Sequence, residues 1–297
     1  MRVVTSEMYT DLLANIQADQ QSESQDEIEA SSGKSVNNLS DNPLAAGQWV
    51  ISNAQIADVD QFSYSVSTVQ GSLNTADSAL NSVVTSLTQA VSVGTEAAGG
   101  TLSTSELQAL GQEVDQIQQQ VIGLANTTYQ GNYVFAGTAV NTQPYSSTGV
   151  YSGNSEVNSV DIGEGQTASM GLAGSTIFGA PATAGQPDLT FQYLSQLSSD
   201  IQSNNQSAIA TDIANVQSSL NNVIAQRSSY GDTLQQLNSD STNLSQEKIT
   251  LQQYQTNLVG ANEAQVATDL SQSESTLQAA IEAAGEISQD SLINYIK

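Results

Sequence analysis

The residues that could do chemistry in this chain are few in kind. It contains no histidine and no cysteine. That removes Ser-His-Asp and Cys-His catalysis, zinc and copper sites built on those side chains, thiol redox chemistry and any disulfide framework. Carboxylates abound, with 30 Asp and Glu against five Lys and Arg in 297 residues. None comes with an evident pocket, so general acid–base catalysis has no support. Gly33-Lys34-Ser35 resembles the end of a phosphate-binding loop. A P-loop also needs a glycine five residues before Gly33, where Ile28 stands, and a preceding strand. The acidic run from Asp19 to Glu29 lacks the Asp-x-Asp-x-Asp-Gly order of a calcium loop and reads as a solvated or intersubunit face. No catalytic residue, metal site or cofactor is expected, and no enzyme.

The charge balance excludes further classes. A formal net charge of −25 makes the chain a poor binder of nucleic acid or anionic membrane. Its opening, MRVVTSEMYTDLLANIQADQQ, lacks the apolar core and cleavage site of a Sec signal. No run approaches the ~18 apolar residues of a membrane helix. A cytoplasmic protein or one exported by another route is expected.

The elements that must position any functional residue are helical. Val4, Met8, Leu12, Leu13 and Ile16 share one face of a first helix, marginal alone, over residues 1 to about 30. A break follows, and Asn42-Pro43 starts the next helix with a capping side chain and a proline at the first helical position. Val59, Phe62, Val66, Val69, Leu73, Ala76, Leu80, Val83, Leu87 and Ala90 keep a 3,4 spacing. Gly94 and Gly99-Gly100 are expected to stop this helix. Ser103 and Glu106 form a capping box for the next, whose seam is Leu107, Leu110, Val114, Ile117, Val121 and Leu124. From Tyr129 to Pro187 glycines and short alternating runs predict a β-rich, peripheral insertion. Helix resumes after Pro187, and a heptad seam runs from Ile209 to Leu258 with Arg227 and Lys248 on it as register-fixing polar residues. Tyr230 and Tyr254 read as seam packing. Trp49 reads as an interface anchor or as a core residue under the break loop. Val266, Leu270, Ser273, Leu277, Ala280, Ala284 and Ile287 give the last helix an apolar seam with nothing of its own to cover it.

The expected fold is mainly α with a small β-rich insertion: a long antiparallel helical bundle plus a terminal N/C coiled-coil pair. Residues 1–42 hold the first helix and joint. Residues 43–128 and 188–260 are the halves of the bundle, 129–187 the insertion, and 261–297 the C-terminal helix.

Three motifs carry a resemblance over essentially the whole chain. Ser32-Gly33-Lys34-Ser35-Val36-Asn37 leads to Ser40-Asp41-Asn42-Pro43-Leu44-Ala45-Ala46. The second is Thr128-Tyr129-Gln130-Gly131-Asn132-Tyr133-Val134-Phe135-Ala136-Gly137-Thr138. The third is Leu277-Gln278-Ala279-Ala280 with the ending Ser291-Leu292-Ile293-Asn294-Tyr295-Ile296. Together they resemble the flagellin superfamily, and the ending is similar to that of its hook–filament junction proteins. The Gln-Ala-Asn-Gln segment that flagellins carry near their end is absent. Ser35 stands where the family often has Arg, and Asn42 where it usually has Asp.

The resemblance implies a structural adaptor of the extracellular bacterial flagellum. It implies export without a Sec signal, with a flagellar export chaperone on the C-terminal helix. It further implies a homo-oligomeric ring between hook-associated protein 1 and the first flagellin layer. On that reading Val4, Met8, Leu12, Leu270, Leu277, Ile281, Leu292 and Ile296 make the terminal coiled-coil contacts. Gly33, Asp41 and Pro43 belong to the joint. The alternatives are a short flagellin filament subunit, or an extracellular binding module with a helical stalk.

Overall fold

The computed structural model describes the backbone of residues 2–296 and the side chains of residues 10–286. In chain order the elements are α1 (Arg2–Ser32), α2 (Pro43–Ala97), α3 (Thr104–Ala125), β1 (Thr128–Tyr129), β2 (Asn132–Tyr133), β3 (Ser159–Gly163), β4 (Gln166–Ser169), α4 (Gly174–Phe178), α5 (Leu189–Gln202), α6 (Gln206–Val259) and α7 (Glu263–Ile296). They form two compact units: Met1–Asp58 with Glu247–Lys297, here the terminal unit, and Val59–Gln246, the central unit. The architecture is mainly α with a small β-rich insertion, a long antiparallel bundle and a terminal helix pair.

The heptad seams make the core of the central unit. Val59, Val66, Val69, Leu73, Ala76, Leu80, Val83, Leu87 and Ala90 of α2 are all buried, as are Val216, Leu220, Val223, Tyr230, Leu237 and Leu244 of α6. Gln70 donates to Asn238, and Arg227 Nε donates to Asp77 Oδ1 at 2.7 Å, so α2 and α6 run antiparallel. Arg227 also donates to Asn81 Oδ1 at 2.8 Å. Its side chain and that of Asp77 are 36% and 32% exposed. Water screens such a pair, so it fixes helix register more than it stabilises. α3 starts with the expected capping box, Ser103 and Glu106 each bonding the other's backbone N–H. Gln118 donates to the Phe191 carbonyl and Ser198 to the Gly111 carbonyl, which makes α3 and α5 antiparallel.

Two expectations need correction here. Gly94 does not stop α2, which continues to Ala97. A Cβ at Gly94 would sit 2.9 Å from Ile213, so this glycine serves close helix packing rather than termination. In the second helical half Asn204, at φ 55°, turns the chain between α5 and α6, ahead of the seam that begins at Ile209.

The second correction concerns the insertion, which is not peripheral. Its strands are short, and β1–β2 is a two-residue hairpin closed by Gln130 and Gly131, both at positive φ. Beside the strands lies an aromatic core of Phe135, Tyr145, Phe178 and, from α5, Phe191, all essentially inaccessible. Phe178 stands edge-on to Tyr145 at 5.4 Å and lies 5.3 Å from Phe191. The Tyr145 hydroxyl donates to Asp188 Oδ2 at 2.7 Å. Met170 O accepts from Ser72 of α2, and the Tyr230 hydroxyl of α6 accepts from the Leu172 N–H. Burial pushes the Tyr230 hydroxyl well up from its ordinary value.

Candidate functional site

The site expected from sequence is the terminal helix pair and its joint, and both lie in the terminal unit. α1 ends because Gly33 takes the left-handed conformation, φ +66°, while its N–H still reaches the Glu29 carbonyl at 2.9 Å. The chain then crosses antiparallel to the segment before α7. Lys34 bridges Gly260, Ser35 N–H donates to Val259 O at 2.8 Å, and Ala261 N–H donates to Gly33 O at 3.0 Å. The crossing lies outside what the sequence revealed, because a one-residue bridge has no periodicity. Beyond it, Asp41 Oδ2 accepts from the backbone N–H groups of Asn38, at 2.7 Å, and Asn37, at 3.0 Å. Those bonds, Asn38's first, hold its carboxyl below the usual carboxylate range. Asn42 Oδ1 accepts from the Ala45 N–H at 3.1 Å, so the asparagine caps α2 and Pro43 opens it. Gly33, Asp41 and Pro43 therefore stand in one hydrogen-bonded loop.

α1 packs along α7, and Ser273 Oγ donates to Asp26 Oδ2 at 2.8 Å across the pair. On α7 the seam reads Val266, Leu270, Ser273, Leu277, Ala280 and Ala284, of which Val266 is buried and the others half-buried. On α1 the half-buried positions at 4,3 spacing are Leu12, Ile16, Asp19, Glu23 and Asp26. The acidic run is thus more than a solvated face, because three of its carboxylates turn into the seam. Among the described residues no group of three or more such side chains is arranged to hold a metal ion.

Of the assembly residues expected from sequence, Leu12, Leu270 and Leu277 lie on this seam. Ile281 does not: it is 51% exposed, one step after Ala280, which takes the seam position. The side chains of Val4, Met8, Leu292 and Ile296 lie outside the described residues. Tyr254, expected on the seam of α6, is 44% exposed and bonds Gln48 through its hydroxyl instead. Trp49 is half-buried, with Lys34 Nζ 5.0 Å from its ring centroid. No helix among the described residues is long and apolar enough to cross a membrane.

Residues 3–140 match the bacterial flagellin N-terminal helical region. The chain is 26% identical over 257 residues to a protein of Salmonella typhimurium, flagellar hook-associated protein 3, covering 80% of this chain and 81% of that one. The crystal structure of FlgL from Bacillus cereus superposes with a TM-score of 0.61 at 25% identity, over 69% of this chain and 99% of that one. The flagellar junction protein FlgL from Legionella pneumophila shares the fold, with a TM-score of 0.57 at 14% identity over 71% of this chain and 99% of that one. Over residues 3–140 the chain is thus similar to the flagellin superfamily. Within it, the chain is similar to flagellar hook-associated protein 3.

Proposed function

We propose that this chain is a structural adaptor of the bacterial flagellum, seated at the junction between hook and filament. The observation that carries the reading is the incomplete seam of the α1–α7 pair. Among the described residues of these two helices Val266 alone is buried, and Leu12, Ile16, Leu270 and Leu277 are only half covered. A pair of this kind gains most of its stability when further helices cover it. Neighbouring copies in a ring would supply them, with hook-associated protein 1 on one side and flagellin on the other. The same open seam on α7 suits a chaperone that holds it before export. The names of the relatives support the junction over a filament subunit.

Deleting residues 262–297 tests this. The central unit has its own buried core, so the truncated protein is expected to keep that unit's cooperative unfolding. It is expected to disappear from the hook tip and to leave cells without filaments. Normal filaments on cells carrying only the truncation would refute the proposal. Long filaments formed by the full chain alone would favour a flagellin instead.

A further inference from the structure

The joint also encloses a groove whose residues no assembly contact described above uses. Lys34, Val36, Leu39, Trp49, Val50 and Val259 line a space of about 280 Å³, wholly within the terminal unit. An apolar cavity of about 150 Å³ already accepts a benzene-sized guest. Leu39 and Val50 are 67% and 60% exposed, an unusual exposure for side chains of this kind grouped at one place. The groove is rigid on one side, because the bridges from Lys34 and Ser35 to Gly260 and Val259 fix that wall. At its rim Lys34 is held over the Trp49 ring, 5.0 Å from the centroid. No carboxylate among the described residues pairs with this ammonium, in a chain with 30 Asp and Glu.

We propose that this groove receives the end of α1 from a second copy of the chain, with Ile28 entering beside Trp49 and Glu27 pairing with Lys34. Ile28 is 44% exposed and Glu27 next to it is exposed, an apolar side chain and a carboxylate on adjacent positions that match a largely apolar groove with a cation at its rim. Ile28 and the groove are different surfaces of the same unit. Repeated head-to-tail, the contact gives a ring or an open helix; exchanged reciprocally between two copies, it gives a two-fold dimer, and sedimentation tells the two apart. The inference rests on the self-assembling adaptor proposed above and adds the contact that sets its register.

Trp49 is the single tryptophan of the chain, so its fluorescence reports on the groove directly. Self-association of the full-length protein at high concentration is followed by sedimentation, Trp49 emission and iodide quenching. Association is expected to shift the emission to shorter wavelength and to protect it from iodide. Lys34→Glu and Glu27→Lys are each expected to weaken association by about tenfold or more, because like charges then face each other. An equimolar mixture of the two variants restores an opposite-charge pair at every contact and is expected to recover association. Both variants should keep the helical circular dichroism of the parent. Association unchanged in the single variants, a mixture that does not recover, or a tryptophan still open to iodide in the assembly would overturn the groove while leaving the adaptor standing. Failure of the parent protein to associate at all would likewise overturn the groove contact, while the adaptor is decided separately by the truncation of residues 262–297.

Discussion

Phe178→Ala is expected to destabilise the central unit by about 3–5 kcal/mol, the usual cost of emptying a large buried aromatic site. Phe178 is 1% exposed and meets Phe135, Tyr145 and Phe191. Its neighbours are held by other bonds: Tyr145 to Asp188, and the Thr190 hydroxyl to the Phe178 carbonyl itself. They cannot easily collapse into the space, which places the cost toward the upper end. Urea unfolding of the full chain, followed by circular dichroism, gives the loss. If the insertion were a loose appendage, the midpoint of the helical transition would stay where it is.

The second large effect is on pH dependence. Asp188 is fully buried, and its Oδ1 has no hydrogen-bond partner. Burial is the main cause that lifts its pKa to about 6, against the opposing bond from Tyr145. Asp212, 5% exposed, is lifted to about 6 by burial and then by the hydrogen bond and charge of Asp200. Asp200 itself moves the other way, held down by its bond from Gln196 and others. In the unfolded chain an aspartate titrates near 4. Between about pH 4 and 6 the folded protein therefore binds protons that the unfolded chain has lost. Stability falls as pH rises through that window and levels off above it. For Asp188 the full penalty above pH 6 is on the order of 2–3 kcal/mol. Asp188→Asn keeps an acceptor for the Tyr145 hydroxyl and removes the titration. Urea midpoints at pH 4.5, 6 and 7.5 are expected to show the fall in the parent and a slope smaller by about one proton in the variant. The same slope in both proteins would mean that Asp188 is not the group responsible.

Much of the fold was legible in the sequence because long heptad seams have a physical necessity. Val66 through Ala90, repeating at 3,4 spacing, can only be satisfied by burial against other helices, and the structure buries them. The capping residues Asn42 and Ser103 were legible for the same kind of reason, since each answers a local demand for a hydrogen-bond acceptor. What sequence spacing misses is closeness between distant segments. Gly94 reads as a helix breaker and is in fact the place where Ile213 comes within reach. The aromatic core draws on residues from Phe135 to Phe191, too far apart and too irregular to form a pattern. At the joint, the break that holds Gly33 and Asp41 is legible, but the crossing of Lys34 with Gly260 is not. On α7 the spacing puts Ala280 on the seam, and the structure leaves Ile281 beside it exposed.

The proposed adaptor gains order when its terminal helices are covered by neighbours. Amide hydrogen exchange across residues 262–297, measured on the free protein and on the protein assembled at the hook tip, tests that idea directly. Exchange is expected to be fast in the free chain, where the α1–α7 seam is half open, and slow in the assembly. Residues of the central bundle, such as Leu80 and Val216, should be protected in both and serve as the internal reference. Full protection of 262–297 in the free protein, equal to that of the bundle, would contradict it.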